Sequence, residues 1–286
     1  MIRIFTDTSA NLPIDIINQY HLSVIPFSYS VDGVEVESAE NMDFDGKAFY
    51  NAMRDGADIK TSMINIEMFS TSFRSALSAG DDVLYIGMSG GISGTAQAAK
   101  NAVRELQEEF PERRISAIDT YAASLGEGLL VLEAAEMLEK GSSFDEINEY
   151  ICDRRKTMCQ YFFVDDLHYL RKGGRISGAK ALVGSLLKIK PILMGDDEGH
   201  IVSCGKARGK RLALSALADY YEKLSADKKS DIGVAHADDE DAANWLIDEL
   251  KKRGFSGNAL TVCYEPVTGS HVGPGTVALF FVGIHK

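Results

Sequence analysis

The residues best suited to chemistry in this chain are hydroxyls and glycines at a strand-to-helix junction, Gly91-Ile92-Ser93-Gly94-Thr95. They follow the apolar run Val83 to Met88 and precede a helical pattern. A helix start presents unpaired N–H groups and a partial positive charge, so it attracts anions. The glycines let a ligand approach the backbone, and Ser93 adds a hydroxyl donor. An ordinary duty explains the same residues, because Ser93 or Thr95 also caps a helix without any ligand. The loop lacks the Gly-Lys-Ser/Thr ending of a P-loop and the GxGxxG spacing of a dinucleotide site.

Other candidates are scattered. Lys60-Thr61-Ser62 lies in a non-periodic stretch before the helical pattern of Phe69 and Phe73, and alone it reads as a loop or cap. Asp7-Thr8-Ser9 follows the first strand, where open α/β sheets hold ligands. A phosphotransferase of the haloacid-dehalogenase kind needs a second Asp two residues after Asp7, and Ser9 stands there. Asp119, Asp165 and Asp166 could assemble a metal site, although turn and cap duties account for such aspartates as well. Arg175 and Arg208 suit carboxylate or phosphate through the guanidinium fork, or serve as surface arginines. His271 stands in a glycine-rich stretch, Gly269 to Gly275, which reads as a loop that brings backbone close to a partner. The four cysteines match neither a metal pattern nor CxxC.

The elements that must position these residues alternate in a βαβ manner. Strands are expected at Ile2–Phe5, Leu22–Phe27, Val83–Met88 and Ile115–Ile118, with helices from Pro13 to Gln19, Thr95 to Phe110 and Ala122 to Lys140. Ser143 with Glu146 forms a capping box for the next helix. Beyond residue 157 the texture changes. Gln160–Val164 reads as a strand, Asp165–Leu170 as a short helix, and 187–194 with 200–204 as a hairpin. Helices follow near Arg208–Leu224 and Asp239–Lys252, and strands at Asp231–His236, Leu260–Tyr264 and Thr276–Val282. The fold class is therefore α/β with two domains, 1–157 mainly parallel with flanking helices and 158–286 with a mixed sheet.

Composition narrows the partners. The 286 residues carry 30 basic and 42 acidic side chains, a formal net charge of -12. Such a surface repels a phosphate backbone, so nucleic acid is not an expected partner. Clusters such as Arg154-Arg155-Lys156 and Lys251-Lys252-Arg253 read as solvated helix faces. A 45% hydrophobic and 25% charged composition is that of a globular protein with a sizeable core. No apolar run nears the roughly 20 residues that cross a bilayer, and the first strand reaches the charged Asp7 at once rather than opening as a signal peptide. The expectation is a reduced, cytoplasmic protein.

In order, the segments carry a resemblance. They are Thr6 to Pro13, Lys60-Thr61-Ser62, Ile86 to Gln97, Asp119-Thr120 with Ser124-Leu125-Gly126, and Leu167 to Ile176. Lys190 to Leu193, Lys206-Ala207-Arg208 and His271 to Gly275 complete the set. Together they resemble the DegV family of bacterial fatty-acid-binding proteins over nearly the whole chain. The resemblance implies two α/β domains with a long-chain fatty acid between them and no cofactor. It implies a carboxylate held by hydroxyls matching Thr61, Ser62 and Ser93, with backbone help near Gly94. In some members of the family the residues matching Arg208 and His271 also approach the head group, and Arg175 stays a further candidate clamp. It also implies a lipid-binding carrier rather than an enzyme. That carrier would present its ligand to a separate ATP-dependent fatty acid kinase, whose acyl phosphate enters phospholipid synthesis, with transient contact at a membrane surface. One departure stands beside the head group, where Met63-Ile64-Asn65-Ile66 replaces the usual Gln-Pro-Ser-Pro. The rival expectation is a stand-alone metal-assisted phosphohydrolase or phosphotransferase using Asp7 and Asp119.

Overall fold

The computed structural model describes residues 1–37, 44–176 and 189–284. The first half carries β1 (Ile2–Asp7), α1 (Ile14–Gln19), β2 (Ser23–Ile25), β3 (Ser28–Val31), β4 (Val34–Glu37), α2 (Gly46–Arg54) and β5 (Ile59–Ser62). It continues with α3 (Ile66–Ser78), β6 (Asp82–Gly87), α4 (Thr95–Glu109), β7 (Ile115–Asp119), α5 (Leu125–Glu139) and α6 (Phe144–Arg154). The second half carries β8 (Met158–Phe163), α7 (His168–Gly173), β9 (Ile189–Gly195), β10 (Ile201–Arg208) and α8 (Lys210–Leu224). It ends with β11 (Ile232–His236), α9 (Glu240–Lys252), β12 (Ala259–Cys263), α10 (Pro266–Val272) and β13 (Val277–Val282).

Two large sheets organise the chain. Strands β2-β1-β6-β7 form a sheet in which every pair is parallel. Strands β10-β9-β8-β13-β11-β12 form a mixed sheet, parallel only between β11 and β12. Helices α3 and α4 cover one face of the parallel sheet, and α8 and α9 cover one face of the mixed sheet. Helix α5 lies between the sheets, touching β1 and β6 on one side and β8, β11 and β13 on the other. That position explains its sequence: a helix packed between two sheets needs apolar residues on both faces, here Leu125, Leu129, Leu130, Val131, Ala134 and Ala135. One hydrophobic core therefore runs from Ile4 of the first half to Val282 of the second.

The strand period of two divides the mixed sheet's residues cleanly. Met158 and Phe162 of β8 face the core beside α5, while Cys159, Tyr161 and Phe163 face α8 and α9. In β13, Ala278, Phe280 and Val282 face α5, while Val277, Leu279 and Phe281 face the other way.

Several local expectations are corrected. A third, antiparallel sheet, β4-β3-β5, contains Thr61 and Ser62, which therefore lie on a strand rather than in a loop. His271 sits in the last turn of α10, a helix opened by Pro266 and capped by Glu265, whose carboxylate accepts from the N–H groups of Val267 and Thr268. Its glycine-rich sequence had masked this, because Gly269 costs helix propensity but makes room for the Tyr50 hydroxyl (2.1 Å from where a Cβ would lie). Arg208 ends a strand, and Gly209, at φ 86°, separates it from α8. The expected strand start at 187 lies outside the described residues. The capping box of Ser143 and Glu146 is present in full.

Candidate functional site

An apolar cavity opens between the two halves. Phe27, Met88 and Ile92 wall it from the first half, and Phe162, Leu170, Val267, Val272 and Phe280 from the second. Its volume is small, about 80 Å³. The bore is thus narrow. A slim apolar bore admits an extended hydrocarbon chain, whereas a compact polar metabolite would need many convergent donors.

Polar groups gather at one end: Thr61, Ser62, Ser93, Arg175 and His271 all border the cavity. Helix α10 packs on β3 and β5, which brings His271 beside Thr61. The His271 Nε2 and Thr61 Oγ1 atoms are 3.0 Å apart. Gly173 of α7 is what admits the ring, since a Cβ there would lie 2.3 Å from His271 Nδ1. Burial, and then the positive charge of Arg175, push the His271 pKa down to about 4. The imidazole is neutral at pH 7, so one ring nitrogen donates and the other accepts. Thr61, Arg175 and His271 also border an open cleft on the outer side, together with Lys60 and Lys172. The Thr61–His271 pair is therefore the partition between the apolar bore and solvent.

The other expected residues fall in different places. Arg175 braces the mouth, donating to the carbonyls of Ile92 (3.2 Å) and Gly173 (2.5 Å). Ser93 lines the cavity, but its hydroxyl already pairs with Thr95 Oγ1 at 2.9 Å and accepts from the Thr95 N–H at 3.3 Å, as a cap would. Gly94 is the exposed N-cap of α4 and stands outside the lining; a Cβ there would lie 2.9 Å from Met63 Sδ. Arg208 is exposed on β10 and borders none of this cavity. The departing segment has its own logic: Met63 lines the mouth, Ile64 is fully buried, and Asn65 caps α3 by accepting from the Met68 N–H.

Each of the candidate aspartates is held by hydrogen bonds or an ion pair within the fold. Asp7 is 1% exposed, and its carboxylate accepts from Ser9 N (2.9 Å), Ser9 Oγ (2.5 Å), Tyr85 Oη (2.5 Å) and Met88 N (3.2 Å). Asp119 Oδ1 accepts from the N–H groups of Gly90 and Tyr121, and Asp166 Oδ1 accepts from the His168 N–H at 2.8 Å. Asp165 pairs with Lys190 at 2.9 Å. Among the described residues no group of three or more His, Cys, Asp or Glu side chains is placed to hold a metal ion.

Beneath Asp7 lies Glu127 of α5, which sequence reasoning missed. Its carboxyl takes the Thr6 hydroxyl at 3.1 Å and meets Ser9 Oγ at 2.7 Å. Ser9 has one hydroxyl hydrogen and cannot donate to both acids, so one carboxyl is protonated and donates to Ser9. Burial and the Asp7 charge both raise Glu127, which makes it the neutral partner. Sequence reasoning also missed Gln160, Phe162, Leu170, Tyr264 and Phe280 on the cavity wall. A signal for three of them was present, since strand alternation puts Gln160 and Phe162 on the α5-facing side of β8 and Phe280 on that of β13.

Residues 1–283 match the family model described as an uncharacterised protein of the DegV family. The chain belongs to the DegV family. A DegV domain-containing protein of Clostridium perfringens is 36% identical over 284 residues, covering 99% of this chain and 98% of that one. A fatty-acid-binding DegV protein of Thermus thermophilus has a solved structure that matches with a TM-score of 0.89 at 31% identity, covering 99% of each chain. The fatty-acid-binding DegV structure from Streptococcus agalactiae matches at 0.88 with 30% identity, covering 100% of this chain and 99% of that one. The DegV fatty-acid-binding protein of Bacillus subtilis matches at 0.83 with 29% identity and 98% coverage of each chain. The mixed α/β architecture of this chain is thus the DegV fold. No helix among the described residues is long and apolar enough to cross a membrane.

Proposed function

We propose that this chain is a carrier of long-chain fatty acids, with the acyl tail in the apolar bore and the carboxylate at the Thr61–His271 end. The single observation behind this reading is the pairing of a narrow apolar cavity with hydroxyl and imidazole groups at its solvent-facing end. The fatty-acid-binding DegV structures of similar fold support it. Burial is worth about 0.8 kcal/mol per methylene, so roughly 14 methylenes supply an upper bound near 11 kcal/mol before ordering costs. The tail gives affinity and the head-group residues give orientation.

An ionised carboxylate needs donors when it leaves water. If His271 Nε2–H donates to Thr61 Oγ1, the Thr61 hydroxyl hydrogen is free to point at the ligand. Ser62, Ser93, the backbone near Gly94, and Arg175 add donors at the same mouth, and Arg208 would join them only on approach of the head group. The carrier would work in the cytoplasm as two domains, 1–157 and 158–286. It would present the head group through the outer cleft to a separate ATP-dependent fatty acid kinase, with transient contact at a membrane surface when ligand is exchanged.

Solvent extraction of the purified protein followed by mass spectrometry tests the binding reading. A co-purifying long-chain acid supports it, and a polar metabolite in its place would sink it. The carrier role is tested by trapping acyl phosphate with hydroxylamine in the presence of Mg²⁺ and ATP. Product is expected only when a partner kinase is added; turnover of ATP or phosphoesters by the chain alone would instead favour the aspartate-based phosphotransferase.

A further inference from the structure

The cavity has a second polar feature, far from Thr61 in sequence and role. Along β8 the cavity-facing residues are Phe162 and then Gln160, one pleat further from α7. Met158, the next residue on that face, is fully buried and is not among the described residues that line this cavity. Along β8 the described lining therefore ends at Gln160. Across the mixed sheet that level is a row: Phe280 stands opposite Gln160 in β13, Gly195 of β9 lies beside it, and Ile201 of β10 stands opposite Gly195.

A glutamine amide on an apolar wall needs partners, and this one has them. Its Nε2 donates to the Tyr121 carbonyl at 2.8 Å, and its Oε1 accepts from the Ala123 N–H at 3.2 Å. Both partners belong to the strap 121–124, which leads into α5 and lines the cavity. The strap is held in unusual backbone conformations, with Tyr121 at φ 57° and Ser124 at φ 52°. Such conformations persist only where neighbours over-determine them. The amide is also gripped from two sides by bare backbone. A Cβ on Gly195 would lie 2.7 Å from its Nε2, and one on Gly126 would lie 3.1 Å from its Oε1. The amide can neither rotate away nor recede when something presses on it.

We propose that Gln160 is the end stop of the bore, and so the residue that sets the longest acyl chain the protein accepts. This rests on the fatty-acid reading above. A flexible apolar side chain at this position would give way to a longer tail, whereas an amide tied at both ends would have to break two hydrogen bonds to do so. The preferred ligand is an acid whose methyl end reaches the Gln160–Phe280 row and no further.

The test has two parts, both on the full chain. Wild-type protein is titrated with saturated acids of increasing length. Affinity is expected to rise with each methylene and then to fall sharply at one length; a smooth rise across the whole series overturns the end stop without reference to any variant. The acids co-purifying with wild type, Gln160→Ala and Gln160→Met are then compared by mass spectrometry. Gln160→Ala, which removes the stop, is expected to shift the distribution to longer acids. Gln160→Met, which keeps most of the bulk but loses both hydrogen bonds and can give way, is expected to shift the distribution to longer acids by less than Gln160→Ala. An unchanged distribution in folded Gln160→Ala, or a shift in Gln160→Met as large as that in Gln160→Ala, overturns the proposal. Absence of any fatty acid from wild type would instead be the failure of the fatty-acid reading itself.

Discussion

Two polar regions lie inside this molecule, and they solve burial in opposite ways. Around Asp7 and Glu127, two acids, two hydroxyls, a tyrosine and backbone N–H groups close on one another. Around Thr61 and His271, a neutral imidazole and a hydroxyl face an apolar bore and a solvent cleft together. The first region is saturated and its residues belong to the sheet ends it joins. The second is made of neutral groups whose hydrogen bonds can be re-aimed. Saturation marks structure and spare capacity is what the proposed head-group site needs, although the acids look more like chemistry on paper.

Four changes would break or sharpen that contrast. The largest effect is expected from Asp7→Asn. An amide nitrogen would replace an oxygen that accepts from buried donors, at a cost of about 3 kcal/mol. Urea unfolding measures it, and a loss below about 0.5 kcal/mol would mean that the acid cluster is not the closed anchor described above. Thr61→Val comes next and should act on ligand rather than fold. Loss of a hydrogen bond to a charged group, worth about 1.5–3 kcal/mol, should weaken fatty-acid binding by roughly ten- to hundredfold with little change in melting temperature. Unchanged affinity in a displacement titration would remove Thr61 from the site.

Glu127→Gln is expected to have a smaller and pH-shaped effect. Glu127 is raised in the folded state, so its contribution is present below its unfolded pKa and is lost as pH rises toward the folded one. The amide copies the neutral acid. The variant should therefore lose less stability than wild type as pH rises from acid to alkaline, and a parallel decline in both proteins would argue that Asp7 holds the shared proton. The smallest effect belongs to His271→Gln. His271 is depressed to about 4 when folded, against 6.5 as its ordinary value. The unfolded chain thus takes up the proton first, and stability present above pH 6.5 is lost as pH falls toward 4. Without ligand, that acid limb should shrink by on the order of 1 kcal/mol in the variant, because partial exposure discounts the full shift. Identical limbs would show that the imidazole is better solvated than its surroundings suggest.

Much of the scaffold was legible because short-range rules decide it. The βαβ alternation, the Ser143–Glu146 capping box and the alternating faces of β8 follow from periods of 3.6 and 2 and from local hydrogen bonding. Helix α5 declared itself as well, since a helix without a polar face must be buried. Thr61, Ser62, Ser93, Arg175 and His271 could be named as candidates, yet hydroxyls, arginines and histidines occur widely and their types alone do not say which of them meet. Arg208 shows the cost of that ambiguity: it was as good a clamp as Arg175 by type, and its strand leaves it exposed, away from the cavity.

What the sequence determined by itself was the α/β class and the apolar faces of its elements, together with a set of polar residues at element ends. What only the tertiary structure decided was which of those ends face each other. Thr61 and His271 are 210 residues apart and share a hydrogen bond because α10 packs on β5. Ser9 and Glu127 are 118 apart and share a proton because α5 is trapped between two sheets. Contacts of that separation are fixed by the packing of whole elements, and no local pattern of residues encodes them.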